Sequence, residues 1–134
     1  MSFPIVGAMV VSLFANSPLY SPLAKQTGAE FVVNGEASRS CGEYIQALNA
    51  ERSARPPDAL PGMRYTALYA VFVAVTDGFL TGVNYVDREQ PQLGKFSDAQ
   101  SRMVWLENYC KVNPSARFVD GLEYLRLELI KNGT

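Results

Sequence analysis

The residues with the widest chemical range in this chain are its two cysteines, Cys41 and Cys110. A cysteine can be a nucleophile, a metal ligand, a small apolar core residue or half of a disulfide. The other residues narrow these roles. The chain has no histidine, so Ser-His-Asp and Cys-His catalysis in their usual form are excluded, because both move a proton through an imidazole. Zinc sites that use histidine are excluded as well, and two cysteines cannot complete a four-cysteine site. A catalytic thiolate needs a base or a positive potential beside it. Lys111 is adjacent to Cys110 but points elsewhere on a helix, and Glu107, one turn earlier, opposes an anion there.

Few other residues suggest chemistry. Asp77 lies in an apolar run, where a bare buried carboxylate is costly. It belongs on a solvated stripe or beside a polar partner, or it is a pH-sensitive carboxylate whose protonation loosens the domain. Gly78 and Gly82 form a GxxxG, read as a place for another helix to approach closely, with Trp105 or Tyr109 against it. Asn84 falls near a helix end, where capping or loop hydrogen bonds explain it. Asp87 and Glu89 share the loop "DREQ", read as solvated; a glycosidase pair would need a cleft with opposed carboxylates. "GFLTGVN" lacks the lysine of a phosphate loop. No catalytic residue, cofactor or metal is expected.

These residues sit in a chain of 134 residues, 48% hydrophobic, with a net charge of −1. That suits one domain with a sizeable core. The arginines at 39, 52, 55, 64, 88 and 102 never form a run, so nucleic acid is not an expected partner.

The elements that would position the cysteines are helical. "SCGE" has a capping-box spacing, with Ser40 as cap and Glu43 as its partner. Cys41, Tyr44, Ile45 and Leu48 then follow at i, i+3, i+4 and i+7. The first helix is expected over residues 40–54, ended by "RPPDALPG". Residues 63–85 form the most apolar segment, too long for a strand and read as a central buried helix. Thr76 and Asp77 interrupt its apolar run, so it is not expected to span a membrane. "SDAQ" repeats the capping spacing from Ser97, and a helix over 98–112 places Met103, Leu106 and Cys110 on one face. Asn113-Pro114 stops it. Ser115 is the expected cap of a last helix over 116–131, with Phe118, Leu122, Leu125 and Leu129 as its stripe. The expectation is an all-α fold, a compact four-helix domain over residues 40–134.

Residues 1–24 hold an apolar run at 5–15, about as long as the core of a secretory signal and too short to span a bilayer. They are read as a cleaved export signal, with processing near Ser17 or Ala24, although no Lys or Arg precedes the run. The other reading is an apolar arm that docks on a partner. Residues 25–39 are read as a linker, in which "EFVV" has nothing to pair with.

Both cysteines fall on inward stripes of different helices. An oxidising compartment would join them, and closing so long a loop would stabilise by about 4 kcal/mol in the chain-entropy model. Two buried free thiols, or one reactive thiolate, stay open as alternatives.

"SCGEYIQAL", "GFLTGVN" and "WLENYCKVNPSARFVDGLEYL" together resemble small exported helical proteins with a cysteine pair. The arrangement is distantly similar to the HdeA/HdeB family of periplasmic acid chaperones and to the Rap/Tai family of type VI secretion immunity proteins. The resemblance spans about residues 40–130 and rests on Cys41, Gly78–Gly82, Cys110 and Asn113-Pro114. The cysteines lie further apart than in the acid chaperones, and the additional cysteines frequent in the immunity family are missing. The resemblance implies a periplasmic, non-enzymatic protein that works through protein contacts, chaperone-like or immunity-like. The rivals are a small secreted enzyme using carboxylates or a reactive cysteine, and a structural subunit of an envelope assembly. A homodimer is among the expected assemblies. Asp77, Gly78, Gly82, Asn84 and Trp105 are the candidate binding or pH-sensitive residues.

Overall fold

A computed structural model of the chain describes Val33 and residues 35–88, 92–95 and 97–133. The expected export signal, "EFVV" up to Val32, and Glu89 lie outside the described residues.

Four α-helices follow a short 3₁₀ turn, Gly35–Ser38. They are α1 (Cys41–Ala54), α2 (Ala67–Val86), α3 (Ala99–Val112) and α4 (Phe118–Lys131). No strand occurs among the described residues. The all-α reading holds. The turn Gly35–Ser38 falls inside the expected linker, yet it contacts α2 and α4, so the ordered chain begins before Ser40.

Helix α1 starts as its sequence dictates. Ser40 Oγ accepts from the Glu43 N–H at 3.2 Å, and Glu43 Oε2 accepts from the Ser40 N–H at 2.8 Å. Each group satisfies a donor that a helix start otherwise leaves unpaired.

The other three starts differ from expectation, each for a local reason. Helix α2 begins at Ala67 rather than residue 63. The N–H groups of Tyr65 and Thr66 donate to the Glu51 carboxylate at 2.7–3.0 Å, which holds that stretch out of the helix. Asp98, not Ser97, caps α3, its carboxylate accepting from the Ser101 N–H at 2.7 Å and Oγ at 3.0 Å. A carboxylate one residue nearer the helix wins over the serine hydroxyl. Helix α4 begins at Phe118, not 116, because the Phe118 N–H donates to the Arg39 carbonyl at 2.7 Å. Asp120 then receives the Arg117 N–H at 3.1 Å; Ser115 does not cap.

The core gathers Tyr44, Phe72 and Phe118 from α1, α2 and α4, with ring centroids 4.8–5.3 Å apart. Edge and tilted packing of this kind suits the ring quadrupoles. Met103, Leu106 and Cys110 close it from α3, and Leu122, Leu125 and Leu129 from α4. The Tyr44 hydroxyl donates to the Met103 carbonyl at 2.8 Å, so the one polar atom of that ring is satisfied. Burial holds this hydroxyl's pKa well above the usual tyrosine value.

Cys41 and Cys110 form a disulfide, with Cα atoms 4.8 Å apart, and both are fully buried. The Asn113-Pro114 break completes this joint. The Cys41 N–H donates to the Ala116 carbonyl at 2.8 Å and the Gly42 N–H to Pro114 at 2.9 Å. The turn that ends α3 thereby satisfies the open first turn of α1. Gly42 suits that close approach: a Cβ would lie 3.3 Å from the Pro114 carbonyl oxygen, a tight contact.

Helix α2 is long and apolar enough to cross a membrane by length and composition, with mean hydropathy 1.4 over its best window. Only its inner face, Phe72, Val73, Thr76 and Leu80, enters the protein core, and most of the helix is partly or wholly exposed, so it is not the buried central helix expected.

Candidate binding groove

Along α1, Tyr44, Leu48, Arg52 and Arg55 recur at i, i+4, i+8 and i+11, one face of a helix. That face turns toward α3 and the loop that follows α1. In the loop, Leu60-Pro61-Gly62-Met63 makes a tight turn closed by the Met63 N–H on the Leu60 carbonyl at 3.2 Å. Gly62 takes φ +80°, which the third position of a type II turn requires, after a proline in the second. The turn carries Met63 and Arg64 back over α1. Glu51 anchors the return through Tyr65 and Thr66, and Arg55 lies 5.6 Å over the Tyr65 ring.

These pieces enclose a groove of about 280 Å³. Leu48, Val73 and Met103 supply buried apolar walls, and Tyr69, Gln100, Met63 and Val104 supply the mouth. Met63 and Val104 are 47% and 46% exposed. Arg52, Arg55 and Arg64 line the same groove.

Two buried carboxylates hold this region together. Glu107 accepts from Arg52 in a two-point pair at 2.9 and 2.8 Å, and pairs with Lys111 at 2.7 Å. The hydrogen bonds from Arg52 and Lys111 lower its pKa to about 2, against the opposing effect of burial. For Glu51, burial acts to raise the pKa, and the donors on Tyr65 and Thr66 together outweigh it, leaving it lowered. Both carboxylates are therefore ionised and occupied near neutral pH. Arg64, by contrast, has no ion-pair partner among the described residues.

The residues singled out in sequence lie elsewhere. Asp77, half exposed, pairs with Arg102 at 2.9 Å, as a carboxylate beside a polar partner should. Gly78 and Gly82 are exposed, and a Cβ on either would meet nothing within 4 Å. The close approach expected there occurs at Gly121, where a Cβ would lie 3.0 Å from the Tyr109 ring. Asn84 ties the following loop in two directions, to the Leu93 carbonyl at 3.0 Å and its N–H at 2.8 Å. Trp105 stacks on Tyr109 at 6.0 Å, and Tyr124 continues the strip at 5.4 Å. None of Asp77, Gly78, Gly82, Asn84 and Trp105 lines the groove. Sequence reasoning passed over Arg52, Arg55 and Arg64 because they form no run. The available signal was Arg52 and Arg55 continuing the Tyr44–Leu48 face.

Among the described residues, no three histidine, cysteine, aspartate or glutamate side chains gather as a metal site. No protein family, curated protein or solved structure matches the chain. The groove is therefore read from its own chemistry. It offers apolar walls and cationic edges, and its nearby carboxylates are committed to structure.

Proposed function

We propose that this is a small exported, non-enzymatic protein that binds one protein partner through the groove between α1, α2 and α3, an immunity-like role. The observation that carries the reading is the pair of exposed apolar side chains, Met63 and Val104, at the edge of an arginine-lined groove. Large apolar side chains grouped at a concave, partly charged site are characteristic of protein contact. Export is supported by the disulfide, which is compatible with an oxidising compartment, and by the apolar run at residues 5–15. The binding role is favoured over catalysis because Cys110 is locked in a disulfide and the Glu107 carboxyl sits far below the range of a general acid near neutral pH.

An acid chaperone differs from a one-partner binder in measurable ways. The test is recovery of the unreduced protein from its native host, followed by mass spectrometry and size-exclusion chromatography. The expected result is a mature chain lacking the apolar run, no free thiol, and a stoichiometric complex with one other protein. Free thiols with residues 1–24 retained would overturn export. Loss of structure at low pH together with suppressed aggregation of unrelated proteins would replace the immunity-like role by the chaperone-like one.

A further inference from the structure

The charge of the groove constrains what its partner presents. Three guanidinium groups, Arg52, Arg55 and Arg64, line it against one carboxylate, Glu107. Glu107 is already matched by Arg52 and Lys111. The excess is local, because the chain as a whole carries −1. The three arginines are not equivalent. Arg52 is committed to Glu107, and Arg55 pairs with Glu51 at 3.7 Å, lies over Tyr65 and donates to the Met63 carbonyl at 3.3 Å. Arg64 stands exposed at the mouth with no ion-pair partner among the described residues. Beside it, Met63 and Val104 are half exposed above the apolar walls.

We propose, resting on the protein-binding reading above, that the groove receives an acidic segment of the partner protein, an apolar side chain entering between Met63 and Val104 while a neighbouring carboxylate meets Arg64. The size of the groove suits side chains of a protein segment. A space of about 280 Å³ takes one or two side chains. Charge complementarity then sets the sign: Arg55 is matched by Glu51 and Arg52 by Glu107, so a basic segment would bring like charge against Arg64, and an uncharged one would leave Arg64 unused. Arg64 makes no ion pair among the described residues, so changing its charge breaks no salt bridge of the groove.

The test is an amide NMR titration of the full chain with its disulfide intact. The probe is a capped five-residue peptide alternating aspartate and leucine. The controls replace aspartate by lysine, or leucine by glycine. The acidic apolar peptide is expected to shift the amides of Leu48, Met63, Arg64 and Val104 saturably, more weakly in high salt. Arg64→Glu should weaken it about fivefold, the scale of one exposed ion pair. Arg64→Lys should restore most of the binding. Val104→Asp is a second variant acting through repulsion at the other edge. Equal binding of the lysine peptide, or binding indifferent to Arg64→Glu, overturns the acidic assignment while leaving the groove a protein-binding site. No shift from any peptide also overturns the assignment, and the protein-binding reading is then decided separately by crosslinking from Val104.

Discussion

At the scale of single residues, Glu107 exerts the most leverage. It is nearly fully buried, and its partners Arg52 and Lys111 are about half exposed. Removing the carboxylate therefore leaves two cations that water can still reach. Glu107→Gln should cost about 2 kcal/mol at pH 7, below the full linkage value because solvent screens the exposed ends. The pH dependence has a definite sign. The folded-state pKa, about 2, lies below the ordinary 4.5, so the stabilisation is complete above about pH 4.5 and fades as pH falls toward 2. Urea unfolding of the two proteins from pH 7 to pH 2 should show a gap that closes across that window. A gap that persists at pH 2 would place the effect in packing. The pair was not legible in sequence, since Arg52 and Glu107 stand 55 positions apart. Glu107 was noticed only as a neighbour of Cys110, and local spacing says nothing about what faces it from another helix.

At the scale of elements, the glycines separate what spacing reveals from what it hides. The GxxxG of Gly78 and Gly82 correctly marks one face of α2, but that face is open. The crowded glycine is Gly121 on α4, under a Tyr109 ring held between Trp105 and Tyr124. A Cβ added at Gly121 meets a ring that cannot easily retreat. Gly121→Ala should destabilise by about 1–3 kcal/mol, as overpacking does. Gly78→Ala and Gly82→Ala should each stabilise by about 0.5–1 kcal/mol through helix propensity. Thermal unfolding of the three variants checks this; a loss of stability at Gly78 or Gly82 would mean that the outer face of α2 is covered. The caps follow the same division. The box at Ser40 and Glu43 was legible because both partners are local. The start of α2 was not, because a carboxylate on another helix decides it. The starts of α3 and α4 turned on which of two adjacent residues caps and on a carbonyl from residue 39.

At the scale of the whole molecule, the four helices and the disulfide were legible because apolar periodicity and the inward position of both cysteines agree. The groove was not, because it exists only when α1, α2, α3 and the loop at 55–66 come together. The disulfide closes 69 positions of chain, and the turn at Pro114–Ala116 secures the same joint. Replacing both cysteines by alanine should remove about 4 kcal/mol, a large part of the roughly 5–15 kcal/mol of a small domain. Chemical denaturation of the oxidised parent and the double variant measures this, and a difference under about 1 kcal/mol would assign the joint to its backbone hydrogen bonds. The central claim, that the groove is where this protein meets a protein partner, is tested most directly by site-specific photo-crosslinking in the native host. A photoreactive amino acid in place of Val104, at the groove mouth, should give one adduct with one other protein. The same group in place of Val112, 77% exposed and outside the groove lining, should not. Identical adducts from both positions, or none from Val104, would contradict the account.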